Sequence, residues 1–228
     1  MKDVAANLET IRRNISKACK KSNRNPDDIT IIGVTKYSSI ERTKEAIEAG
    51  ITHLGENRTD EFLHKYEELD DLNESLQWHF IGTLQSRKVK EIIHEVDAIH
   101  SLDRSSVAKQ IEKRADKPVD CFVQVNVSGE ETKHGLPPEQ VVSFIREMGA
   151  YEKVRIVGLM TMAPHVDDEH VLRSTFQQLA SLKDEVQREN LPHAPCTYLS
   201  MGMSNDYEIA IEEGATHIRL GSDLVGSV

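Results

Sequence analysis

Apolar residues recur at Val4, Leu8, Ile11, Ile15 and Cys19, a three-and-four spacing that predicts an amphipathic helix at the N-terminal end. The run NRNPDD then breaks the periodicity, and the rest of the chain alternates. Short apolar runs predict strands over 29–36, 53–57, 78–82, 98–102, 119–127, 154–162, 196–202 and 217–221. Helical spacing fills the intervals, with a helix over 41–49 stopped by Gly50. A longer helix is carried by Val171, Leu172, Phe176, Leu179, Leu182 and Val186. Eight strand–helix units in one chain of 228 residues predict a single-domain, closed (β/α)8 TIM barrel over residues 1–228, preceded by an extra N-terminal helix. The segment AIEAGITHL (46–54) is echoed by AIEEGATHI (210–218), each reading as a helix end, a glycine cap and Thr-His entering a strand. His53 and His217 thereby fall at strand starts, where structural roles are expected.

Composition narrows the function classes. Hydrophobic residues make up 38% and charged residues 29%, and the formal net charge of −10 argues against a nucleic-acid surface. No run is long and apolar enough for a membrane helix, so no membrane role is expected. Cys19, Cys121 and Cys196 have no pairing or metal spacing, which predicts reduced thiols in a cytoplasmic protein. His165, Asp167, Asp168 and His170 read as a solvated loop rather than a metal site. Trp78 and His79 point to opposite faces of their strand, with Trp78 expected in helix–sheet packing.

Barrel chemistry gathers where strands end. Lys36 closes the first strand, either as a rim lysine whose stem snorkels or as a partly desolvated amine able to form a Schiff base. Ser38 and Glu41 are expected to form a capping box behind it. After strands seven and eight lie LSMGMSND and RLGSDLVG, in which Ser200, Gly202, Ser204, Gly221 and Ser222 offer backbone and hydroxyl donors for a phosphate. Arg219 shares a strand face with Gly221 and is open to three roles: phosphate clamp, ion pair or partner of a pyridine nitrogen. A Schiff-base lysine beside a phosphate site fits either a pyridoxal phosphate protein or an aldolase of phosphorylated sugars.

Six segments in order, GVTKYSS, LGENR, WHFIGTLQSRK, VNVSGEETKHG, GLMTMAP and LSMGMSNDYEIAIEEGATHIRLGS, resemble the pyridoxal phosphate homeostasis proteins, which are similar to the barrel domain of alanine racemase. The resemblance implies that Lys36 carries pyridoxal 5'-phosphate as a Schiff base and that Arg219 faces the ring nitrogen. It further implies that Ser200, Ser204, Gly221 and Ser222 bind the phosphate and that Asn57 lies near the ring. Asn57 also reads as a helix cap ahead of Asp60. Ser222 stands where the family more often has threonine, and Arg87 where many members have asparagine, so Arg87 is given no role. Lys133, on the loop after strand five, is a further lysine at the same mouth. The expected function is a monomeric cofactor carrier that serves intracellular homeostasis and hands the cofactor to apo-enzymes. The alternative is an amino-acid racemase or lyase. Racemases of this kind draw an opposing tyrosine from a second domain, and arginine is a poor proton donor to the ring, so weak or no catalysis is expected.

Overall fold

The structure, a computed structural model, describes residues 3–130 and 133–226. Eight parallel strands close into a barrel in sequence order: β1 (Thr30–Val34), β2 (His53–Glu56), β3 (Gln77–Phe80), β4 (Ala98–Leu102), β5 (Val119–Gln124), β6 (Val154–Met160), β7 (Tyr198–Ser200) and β8 (His217–Leu220). The main crossover helices are α2 (Ile40–Glu48), α3 (Thr59–Glu68), α4 (Val89–Ile92), α5 (Ser105–Arg114), α6 (Pro138–Met148), α7 (Glu169–Arg188) and α8 (Tyr207–Glu212). The short α9 (Ser222–Val225) follows β8. The chain forms a TIM barrel, and all eight expected strands are present, several of them ending earlier than the apolar runs suggest.

Helix α1 (Val4–Lys21) buries the stripe Val4, Leu8, Ile11, Ile15 and Cys19 that defines it in the sequence. It packs against α8, α9 and α2: Asn14 donates to the Tyr207 hydroxyl at 3.0 Å, and Asn7 to the Leu224 carbonyl at 3.0 Å. The repeated helix–Gly–Thr-His segments behave alike, with Gly50 at φ +108° and Gly214 at φ +104° ending their helices in the left-handed region that favours glycine.

Strand periodicity sorts the side chains into two cores. The outer core, between sheet and helices, is apolar and continuous; Trp78 sits there, edge-on to Phe62 of α3 at 5.3 Å. The inner core, within the barrel, holds a small apolar cluster of Ala98, Phe122, Val157 and Met160, with Ile32 also facing inward. Beside these lie the buried polar side chains His79, His100, Gln124, Ser200, His217 and Arg219. One charged pair enters the outer core. Lys65 of α3 reaches Glu56 at the end of β2 at 2.7 Å, and both are fully buried. Burial pushes the Glu56 carboxyl upward despite that partner, and its Oε2 has no hydrogen-bond partner among the described residues. The Lys65 ammonium also donates to the Thr35 carbonyl, immediately before Lys36, so this pair fixes the backbone where β1 enters the mouth.

Candidate cofactor site

At the C-terminal ends of the strands the barrel opens into a cavity of about 560 Å³. Lys36, Asn57, Ser204, Arg219, Gly221 and Ser222 line it together, from the ends of β1, β2, β7 and β8. Lys36 lies two residues beyond β1 rather than at its last position, and it is exposed. Of the two readings of Lys36, its exposure matches the rim lysine rather than the partly desolvated amine. Tyr37 turns the chain away with φ +64°, and Ser39, not Ser38, caps α2 by accepting from the Arg42 N–H at 3.2 Å. The residue three positions on from the cap is Arg42, whose side chain has no acceptor atom, so the expected Ser38–Glu41 capping box does not form.

Asn57 does not cap α3; Arg58 occupies that position without a side-chain cap. The Asn57 Oδ1 is instead buried against the cavity with no hydrogen-bond partner among the described residues, the kind of group a ligand donor satisfies. Gly82, after β3, lets the neighbouring loop close over it: a Cβ there would lie 2.0 Å from the Asn57 carbonyl oxygen.

The loop after β7 turns on Gly202 at φ +96° and is tied by Asp206, whose Oδ1 accepts from the Met203 N–H at 2.6 Å. Asp206, rather than Ser204, stands at the start of α8. Ser204 accepts from the Asp223 N–H at 3.4 Å, joining this loop to the one after β8. Its own hydroxyl proton remains for a ligand. Asp206 is buried and its carboxyl is held above the usual range by burial, partly offset by the Met203 N–H and by Arg219. His165, Met162 and Gln124 also line the cavity.

Ser200 departs from expectation. It is the last residue of β7, fully buried and absent from the cavity wall. Its Oγ accepts from Arg219 Nη1 at 2.7 Å and lies 2.9 Å from His100 Nδ1. The hydroxyl is committed inside the barrel, behind the cavity wall where the phosphate contact is expected. Arg219 Nη2 donates to the Thr161 carbonyl at 2.9 Å, so the guanidinium is held from beneath by Ser200 and Thr161. Burial lowers Arg219 to about 10, with Asp206 acting against the shift, so it stays cationic at neutral pH.

His100, Asp206 and Lys65 carry no role in the sequence reading. The available signal for His100 was a histidine inside an otherwise apolar run, AIHSL. His165, Asp167, Asp168 and His170 lie exposed, and Asp168 caps α7 by accepting from the N–H groups of His170 and Val171. No group of three or more possible metal ligands exists among the described residues.

The family described as alanine racemase, N-terminal domain, matches residues 6–228. A pyridoxal phosphate homeostasis protein of Aquifex aeolicus is 43% identical, over 96% of this chain and 96% of its own length. This chain belongs to the pyridoxal phosphate homeostasis protein family. Among solved structures, PipY of Synechococcus elongatus PCC7942 with PLP bound superposes with a TM-score of 0.85 at 31% identity, covering 98% of this chain and 100% of PipY. Alanine racemase of Clostridium difficile 630 shares the barrel alone, with a TM-score of 0.75 at 17% identity, covering 97% of this chain and 56% of the racemase.

Proposed function

We propose that this chain binds pyridoxal 5'-phosphate in the barrel mouth, joined to Lys36 as a Schiff base, and that it stores and hands on the cofactor for intracellular homeostasis. The observation that carries this reading is the convergence of Lys36, Asn57, Arg219, Ser204, Gly221 and Ser222 on one cavity. When bound, the cofactor supplies an electrophilic aldehyde and an electron-accepting ring. Lys36 Nζ is the amine that meets the aldehyde. The hydroxyls of Ser204 and Ser222, with the backbone at Gly221, meet the phosphate; Asn57 and Arg219 meet the ring. The orphaned Asn57 Oδ1 and the buried Arg219 cation fit such a ligand.

The same residues support storage over turnover. Racemisation needs a second acid–base group across the substrate carbon from the lysine. Among the described residues that line the cavity, the other titratable side chains are His165, Asp206 and Arg219. Asp206 is turned to its own loop, His165 is exposed, and a guanidinium is a poor proton donor. On this reading the protein acts in the cytoplasm as a monomer, with apo-enzymes of the same cofactor as acceptors. The test is a pair of measurements on loaded protein. It should activate an apo-aminotransferase, while L-alanine in deuterated water should keep its α-proton and its optical purity. Exchange at enzymic rates, about 1 s⁻¹ or faster, together with loss of chirality, would replace storage by racemase activity. Failure to activate the apo-enzyme would remove the handing-on step.

A further inference from the structure

A continuous line of hydrogen bonds crosses the barrel interior from its far face to Arg219. His53 Nδ1 lies 2.9 Å from His79 Nε2, His79 Nδ1 lies 2.9 Å from His100 Nε2, and His100 Nδ1 lies 2.9 Å from Ser200 Oγ. Arg219 Nη1 completes the line at 2.7 Å from the same oxygen. Strand register explains the spacing. His79 pairs with Gly55, two residues beyond His53 on β2, and His79 in turn pairs with Ala98, two residues below His100 on β4. Each histidine therefore stands one inward-facing position higher on the next strand, a staircase that follows the barrel's stagger. At its lower end His53 is half-buried and lines a second cavity of about 450 Å³ on the opposite face, beside Arg12, Asp27 and Thr52. Asp97 is the charged group that acts on His53 there, and His217 packs beside the staircase but turns its Nδ1 to the Thr216 hydroxyl at 2.9 Å.

Arginine sets the direction of every bond in this line. A guanidinium only donates, so Ser200 Oγ accepts from Arg219. If Ser200 gives its own proton to His100 Nδ1, then His100 donates from Nε2 to His79, and His79 donates from Nε2 to His53. Each of the four contacts in the line then has one donor and one acceptor, with three neutral rings. If the histidines run the other way, Ser200 Oγ accepts from both Arg219 and His100. Its own buried proton then has no further acceptor among the contacts of the described residues, a strongly disfavoured arrangement. Burial also drives His79 and His100 far below their ordinary range, so neutral rings are the state the barrel holds.

We propose that His53, His79 and His100 form a relay of positioning residues with a single permitted tautomer, which couples the far face of the barrel to the aim of Arg219 in the mouth. Ser200 is the hinge: its proton, held by His100, leaves an oxygen lone pair for the guanidinium. The relay stands without any cofactor; only its consequence for ring contacts rests on the function proposed above.

The test is nitrogen NMR of the imidazole rings in cofactor-free protein at neutral pH. His53, His79 and His100 should each carry hydrogen on Nε2 alone. Hydrogen on Nδ1 of any of the three, or a charged ring, overturns the relay. The coupling is read two links away. In His53→Leu the His79 proton loses its acceptor, so His79 and His100 should shift toward a mixture of tautomers, and His53→Asn, whose Oδ1 replaces the lost acceptor, should restore one form. Unchanged His100 resonances in a folded His53→Leu protein would show separate contacts and no relay. Should that variant fail to fold, the wild-type tautomers still decide. In the mouth, His100→Phe keeps the stacking on Phe122, now at 4.1 Å between ring centroids, but removes the acceptor for Ser200. It should shift the absorption maximum of bound pyridoxal phosphate and weaken binding about tenfold. An unshifted spectrum with unchanged affinity would contradict the positioning role.

Discussion

The two cores of this barrel are built on opposite principles. Between sheet and helices, Leu8, Phe62, Trp78, Ile111, Phe176 and Leu179 pack with almost no polar atoms, and the one charge pair, Lys65 with Glu56, stands at the edge of the mouth. Inside the barrel, His79, His100, Ser200 and Arg219 bond one another around a few apolar side chains, with Gln124 and His217 buried beside them. The outer core stabilises through area removed from water and tolerates repacking. The inner core depends on every hydrogen having a partner, so it is specific and fragile, and it is the part that touches the site.

The comparison breaks most easily with acid. His79 and His100 are held well below the ordinary histidine range and His217 at about 3, all mainly by burial. A histidine whose folded pKa is depressed contributes stability above its unfolded pKa and loses it as pH falls below that value. From pH 7 to pH 5 the three together should lower stability by about 6 kcal/mol, roughly 2 each. Urea midpoints at the two pH values measure this; a flat profile would mean the inner rings are not buried and neutral. Next in size is Lys65→Met, which leaves Glu56 buried without its counter-charge and should lower stability by about 3–5 kcal/mol. If the loss falls below about 1 kcal/mol, the pair is not the anchor of the β1 end. In the apolar core, Leu179→Ala should lower stability by about 3 kcal/mol, by the same amount at pH 7 and pH 5, because only packing is removed. A loss that changes with pH would erase the distinction between the cores.

The smallest effects separate two serines. Ser204→Ala should leave stability unchanged and weaken pyridoxal phosphate binding by about 1.5–3 kcal/mol, ten- to a hundredfold, with little effect on unphosphorylated pyridoxal. Ser200→Ala should act through Arg219, lowering stability by about 2 kcal/mol and weakening both ligands alike. Calorimetric titration with the two ligands tells these apart; a phosphate-selective loss in Ser200→Ala would return Ser200 to the phosphate site.

This difference also marks what the sequence makes legible. The outer core is written in periodicity: the α1 stripe, the α7 stripe and the eight apolar runs each declare a face, because burial against a neighbouring layer demands one. The mouth is legible through its family segments, which bring Lys36, Asn57, Ser204, Arg219, Gly221 and Ser222 to one cavity. LSMGMSND reads as one loop, whereas its first serine ends β7 and points inward. The histidine line was hidden for a related reason. Its members lie on β2, β3 and β4, and their contacts depend on the stagger between strands, which no local pattern records. Nothing in the sequence singles out Lys65, whose contact with Glu56 is made only when α3 packs over the end of β2.

The central claim is that Lys36 is the residue that holds the cofactor, and trapping tests it most directly. Protein loaded with pyridoxal phosphate is reduced with borohydride, digested and mapped by mass spectrometry. The account predicts one phosphopyridoxyl group per chain, on Lys36, absent from Lys36→Ala treated in the same way. Equal labelling of Lys133 or of surface lysines, with Lys36 unmodified, would contradict it.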